Sequence, residues 1–223
     1  MDLTTSDPGQ LETASNLGVK PASQQRSRAV RDALIECGID LLNEMDFDDL
    51  TIPVLTGRAG CSVGNFYKRF ENKEQYFLVL RDHVVQENRK NVLAMLDPKV
   101  LRDLPFDKAA GRIVDTYMTN AGGRGRGVLR SAYMKVNSDP AIWDPMRETL
   151  GIMNDNSVAG LADRVPAKTR KEAATKVKLA VQMAGSTMFN TIIEAWHPHV
   201  LSDKALAQQL KVMVRSYLLA GTA

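Results

Sequence analysis

The chain is poor in cysteine. Its two, Cys37 and Cys61, stand at no metal-ligand spacing, which excludes a disulfide-stapled extracellular domain. Aromatic residues make up only 6% of the sequence, which argues against an all-β sandwich and toward helices. No run approaches eighteen apolar residues, so no membrane-spanning helix is expected. The first twenty residues lack a basic segment followed by an apolar one, so no secretion signal is expected either. Period-two alternation is never sustained, so no strands are expected, and no internal repeat is visible. What remains is a soluble, cytoplasmic, all-α protein with no membrane partner. Its 223 residues can form one or two domains, each with its own hydrophobic core.

A strong charge of one sign is lacking too. The net charge is +3. Residues 26–96 hold ten Lys/Arg against eleven Asp/Glu, and residues 97–223 hold eighteen against twelve. Nucleic-acid binding must therefore rest on local clusters rather than on a bulk basic domain.

Residues 1–25 are rich in Ser, Thr, Gln, Pro and Gly without apolar periodicity and read as a disordered arm. From Arg26, the residues Val30, Ala33, Leu34, Cys37 and Leu41 form one stripe of an amphipathic helix ending near Met45. Thr51 is a good N-cap for a short helix with Pro53 in its first turn, and Gly60 stops it. Ser62 caps a second short helix running to about Phe70. Asn72, with Gln75 three residues on, opens a long helix over residues 73–96 that Asp97-Pro98 breaks. Further helices are expected near 99–104, 106–121, 127–137, 140–163, 168–196 and 202–219.

Two short helices joined by a glycine turn behind a longer first helix describe a helix-turn-helix over residues 26–72, with its recognition helix at about 62–70. Ile52, Leu55, Ala59, Phe66 and Phe70 supply the inward faces. Val63, Gly64, Asn65, Tyr67 and Lys68 are left outward, as a major-groove surface. Asn65 can pair with adenine and Val63 can touch a thymine methyl. Tyr67, Lys68 and Lys73 can reach phosphates, Lys73 from a helix N-terminus that itself favours anions. The capping residues Thr51 and Ser62 complete the DNA-contact set. Residues 51–73 carry Arg58, Lys68, Arg69 and Lys73 against Glu71 alone.

The stretch Leu50-Thr51-Ile52, Ala59-Gly60-Cys61-Ser62-Val63-Gly64-Asn65-Phe66-Tyr67-Lys68-Arg69-Phe70 and Asn72-Lys73-Glu74 resembles the TetR-type family of bacterial helix-turn-helix regulators. The likeness runs without gaps over about residues 28–88. It departs at Leu55-Thr56, where the family has isoleucine-alanine, and at Cys61, where it has valine. The resemblance implies an all-helical homodimer. Its N-terminal domain would bind a palindromic double-stranded DNA operator, and its C-terminal domain, residues 97–223, would bind an effector and dimerise. It also implies a repressor released by a small molecule. Control by a protein partner, or by no ligand, is the alternative.

Within the C-terminal half, Tyr117, Tyr133, Trp143, Met153, Met183 and Asn190 are the candidate effector-pocket residues. Together with Trp196 the aromatics point to an apolar or aromatic compound. The last two helices are apolar on more than one face. Val181, Met188, Ile192, Leu210, Met213 and Tyr217 are the candidate dimer-interface residues. The run Gly123 to Gly127, with Arg124 and Arg126, reads as a flexible interhelix loop, because it lacks a P-loop ending and follows no strand. Lys168, Arg170, Lys171, Lys176 and Lys178 read as a solvated helix face. His197-Pro198-His199 reads as a turn, not a metal site. No acid–base pair, nucleophile or metal set stands at a readable spacing, so no catalytic residue, metal or cofactor is assigned and an enzyme is not expected.

Overall fold

A computed structural model describes residues 21–193 and 203–221, and among them there are helices and no strands. The N-terminal part consists of α1 (Pro21–Glu44), α2 (Ile52–Arg58), α3 (Val63–Tyr67) and α4 (Lys73–Met95). There follow α5 (Pro98–Asp103), α6 (Phe106–Ala121), α7 (Arg126–Met134), α8 (Asp144–Leu161), α9 (Arg170–Ile193) and α10 (Asp203–Leu219). Short 3₁₀ turns precede and follow α8 at Pro140–Trp143 and Ala162–Arg164.

The caps read from the sequence set the starts of three helices. The Thr51 hydroxyl accepts the Val54 N–H at 3.4 Å, the Ser62 hydroxyl accepts that of Asn65 at 3.3 Å, and the Asn72 amide oxygen accepts that of Gln75 at 2.8 Å. Gly60 turns the chain between α2 and α3 at φ 65°, a conformation costly for any residue with a Cβ. Some boundaries differ from expectation. α1 begins at Pro21 rather than near Arg26, because proline is tolerated in a first helical turn. α3 ends at Tyr67 rather than Phe70, since Asn72 takes up the extended backbone that caps α4. The expected helix over 140–163 is interrupted at Trp143 by a 3₁₀ turn.

Two apolar cores share α4. The first joins Leu34, Leu41 and Leu42 of α1 to Leu50, Leu55, Phe66, Phe70, Tyr76, Phe77 and Leu80. It also takes in Val128, Leu129 and Ala132 of α7, with Ile142 and Met146. The second joins the end of α4 to α5, α6, α8, α9 and α10 around Leu96, Leu101, Ile113, Val177, Val181 and Leu218. Thus α7, expected with the rest of residues 97–223, packs on the N-terminal core.

The reason is a close approach of α7 to α1. A Cβ on Gly127 would lie 1.9 Å from the Leu42 carbonyl oxygen, so only glycine permits this contact. The Gly127 N–H donates to the Asn43 amide oxygen at 2.8 Å, and the Asn43 amide nitrogen donates to the Arg124 carbonyl at 2.7 Å. Arg124 also pairs with Asp40 and Glu36, and Arg126 donates to the Thr191 carbonyl of α9. The 123–127 run is therefore pinned, not the flexible loop expected.

Candidate nucleic-acid interface and core cavity

An aromatic cluster holds α3 in place. The rings of Phe66, Phe70 and Tyr76 contact one another with centroids 4.9–5.3 Å apart, and all three are buried. The Tyr76 hydroxyl donates to the Leu34 carbonyl at 2.6 Å, tying α4 to α1 beneath α3. Burial pushes this phenol far above its ordinary value, so it remains a donor. Thr56 is buried at 2% exposure, and its hydroxyl donates back to the Ile52 carbonyl at 2.9 Å. The departure from alanine at that position is thus accommodated inside α2.

With Phe66 turned in, the opposite face of α3 is open. Val63, Gly64, Tyr67 and Lys68 are exposed, Tyr67 at 55%. These positions fall at i, i+1, i+4 and i+5, one side of a helix. Asn65 is half-buried at the edge of this face, and among the described residues its side-chain amide has no partner. A Cβ on Gly64 would meet only the Ser62 hydroxyl, at 3.8 Å. Nothing in the described chain requires a glycine there, although glycine weakens a helix by about 0.5–1 kcal/mol relative to alanine. Val54 on α2 is 44% exposed, an apolar group on the helix beside α3 that the sequence reading did not single out.

The four basic groups of residues 51–73 divide into two kinds. Lys68 is exposed and without an ion pair among the described residues. Arg58 pairs with Glu44 at 2.5 Å. Arg69 donates to the Asn65 carbonyl at 2.7 Å and to the carbonyl and hydroxyl of Ser27 at 3.2–3.3 Å. That bridge sets the exposed Arg26 and Arg28 of α1 beside the end of α3. Lys73, expected to reach a phosphate, lies over the Phe47 ring at 4.4 Å and donates to the Asp48 carbonyl at 3.2 Å.

A cavity of about 500 Å³ opens between α6, α7, α8 and α9. Tyr117, Tyr133 and Trp143 line it as expected, with Leu150, Asn154, Lys178, Val181, Gln182, Gly185, Ser186 and Phe189. Met153 lines a smaller chamber of about 80 Å³ that shares Tyr117, Trp143, Leu150 and Phe189 with the first. Tyr133, Trp143 and Phe189 form a triangle of edge-to-face rings with centroids 4.9–5.8 Å apart. The Tyr117 hydroxyl has no hydrogen-bond partner among the described residues, and burial raises its pKa. The Asn154 side-chain oxygen is likewise buried without a partner.

Met183 and Asn190 line neither space, and both are exposed. At 3.6 residues per turn they stand about a third of a turn from the cavity face of α9. Phe189, Gln182 and Lys178 occupy that face instead. Phe189 lies on the cavity side of α9, next to the buried Met188 of the second core. Lys178 is exposed, as read, and also borders the cavity.

The candidate dimer residues need a similar correction. Val181, Met188 and Leu210 are buried in the chain's own second core, at 1, 2 and 4% exposure. Tyr217 packs half-buried against the same core. Only Met213, at 53%, is well exposed. The apolar groups left outward are Leu179 and Met183 on α9 and Val212, Met213 and Leu219 on α10. The Ile192 side chain, Trp196 and His197-Pro198-His199 lie outside the described residues. No group of three or more His, Cys, Asp or Glu able to hold a metal occurs among the described residues.

No family model and no curated protein matches the sequence. Solved structures match over nearly their whole length. One, assigned to the TetR family of transcriptional regulators and from Mesorhizobium loti, aligns with TM-score 0.61 at 15% identity, covering 89% of this chain and 98% of its own. Another so assigned, from Vibrio parahaemolyticus, gives 0.58 at 17% identity over 86% of this chain and 99% of its own. A third, from Rhodococcus sp., gives 0.62 at 11% identity over 86% and 99%. A helix-turn-helix on a helical body, in the order seen in these three structures, is the fold of TetR-family transcriptional regulators, and this chain adopts it.

Proposed function

We propose that the protein is a DNA-binding transcriptional regulator of the bacterial cytoplasm. In this reading it is a repressor that binds a palindromic operator as a homodimer and leaves it when a small molecule occupies the core cavity. The open face of α3 carries the reading. It presents a valine, a glycine whose Cβ position would meet only the Ser62 hydroxyl, a tyrosine and an unpaired lysine, on a helix whose other side is locked by Phe66. Val63, Gly64 and Asn65 would meet base edges, while Thr51, Ser62, Tyr67, Lys68 and Lys73 would position the backbone.

The homodimer rests on the outward apolar groups of α9 and α10. Leu179 and Met183, with Val212, Met213 and Leu219, would meet their counterparts in a four-helix interface. The effector reading rests on the cavity, whose volume lies in the usual range for small-molecule sites of about 300–1,000 Å³. An enclosed cavity would support release by ligand most directly, and this one is open along α9, where Lys178, Gln182 and Ser186 are exposed.

Binding of ligand and operator must then be reciprocal, with a coupling of about 1–3 kcal/mol. Calorimetric titration of an effector, with and without a selected operator duplex, tests this. Weaker ligand binding in the presence of operator supports the reading, and equal affinities contradict release by ligand.

A further inference from the structure

We infer that the cavity between α6 and α9 takes a flat aromatic compound carrying one negative charge, with Lys178 pairing the charge and Tyr117 donating to its polar end. The inference rests on the effector reading above and specifies the ligand class.

Three observations carry it. The first is the charge of the wall. Lys178 is its one ionised side chain among the described residues, and no Asp or Glu lines the space. The Lys178 ammonium also has no ion pair among the described residues. A cavity with one uncompensated cation favours an anion and disfavours a cation, and because Lys178 is exposed the preference weakens as salt is added.

The second is the shape of the floor. Tyr133, Trp143 and Phe189 touch edge to face, with centroids 4.9, 5.2 and 5.8 Å apart. Rings in mutual contact leave no gap for an ammonium group between them, unlike the spaced rings of a cage for methylated amines. They offer faces and edges on which another ring stacks.

The third is an unmet polar group. The Tyr117 hydroxyl is without a partner, and burial keeps it protonated, so it is a hydrogen-bond donor. An aromatic acid would satisfy the donor and the charge together.

The test compares three probes of one shape by calorimetry: 2-naphthoate, neutral 2-naphthamide and the cation of 2-naphthylmethylamine. The expected result is that naphthoate binds at least about tenfold more tightly than the amide, and the ammonium compound most weakly. Lys178→Met should abolish the preference for naphthoate over the amide, and Lys178→Arg should keep it. Equal affinity for naphthoate and amide, or a preference that survives in Lys178→Met, overturns the inference and leaves the effector reading standing. Failure of all three probes to bind overturns both.

Discussion

Arg124 and Asp40 form a bidentate pair across 84 residues of chain. The Arg124 Nε donates to one Asp40 carboxylate oxygen at 2.6 Å and its Nη2 to the other at 2.7 Å. The same guanidinium holds the Glu36 carboxylate and carbonyl, so the α6–α7 connection is fastened to the first helix of the helix-turn-helix unit. The connection starts one turn past Tyr117 of the cavity wall. Ligand contacts on α6 can therefore reach α1 through it as well as through α4.

This pair makes a pH-dependent contribution to stability. Hydrogen bonding to Arg124 holds the Asp40 carboxyl below its ordinary value. Its contribution is full above the unfolded-state pKa of about 3.9 and is lost as pH falls through the lower folded-state value. Both side chains are about half exposed, so solvent limits the gain to about 1 kcal/mol or less. Thermal melts of the native protein and Asp40→Asn should differ by a constant amount above about pH 5 and converge toward pH 3. A difference that widens on acidification would contradict the assignment.

Gly127→Ala should be strongly damaging. Its new methyl would sit 1.9 Å from the Leu42 carbonyl oxygen, a backbone atom that cannot swing aside. Separating α7 from α1 also breaks the Gly127–Asn43 hydrogen bond. A loss of about 2 kcal/mol or more is expected in urea unfolding. A loss under about 0.5 kcal/mol would show that the two helices do not pack as closely as described.

Gly64→Ala should have opposite effects on folding and binding. The added methyl meets only the Ser62 hydroxyl, at an ordinary contact distance of 3.8 Å, so the fold should gain up to about 1 kcal/mol. The same methyl stands on the face proposed to meet DNA and should weaken binding to any duplex. Melting and fluorescence anisotropy on one sample check both. Stabilisation without loss of DNA binding would take Gly64 off the interface.

Base reading and backbone positioning should separate at Asn65 and Lys68. Asn65→Ala should cost about 1–3 kcal/mol and relax preference at one base position. Lys68→Ala should weaken all duplexes alike and shallow the salt dependence by about one unit. Binding measured over a salt series on matched and mismatched duplexes checks this. Uniform loss in both variants would mean that Asn65 contacts only the backbone.

Much of this molecule is local and was therefore readable from residues in order. The N-caps Thr51, Ser62 and Asn72, the turn at Gly60 and the inward Phe66 and Phe70 each depend on neighbours within a few positions. The exposed face of α3 follows from them. The Gly123–Gly127 run was misread because its partners Glu36, Asp40 and Asn43 lie more than 80 residues away. Helical periodicity also says which residues share a face, not what the face meets. Val181, Met188 and Leu210 are apolar stripe residues, and they pack into the chain's own core. The outward apolar groups of α9 and α10 are the ones left over once that packing is known.

The account's central claim is a two-fold symmetric DNA reader, and selection of bound duplexes from a random pool tests it most directly. The account predicts an inverted repeat whose half-site centres lie about one helical turn, roughly 34–36 Å, apart, and which Asn65→Ala degenerates at symmetric positions. Enriched sites without two-fold symmetry, or no enrichment at all, would contradict it.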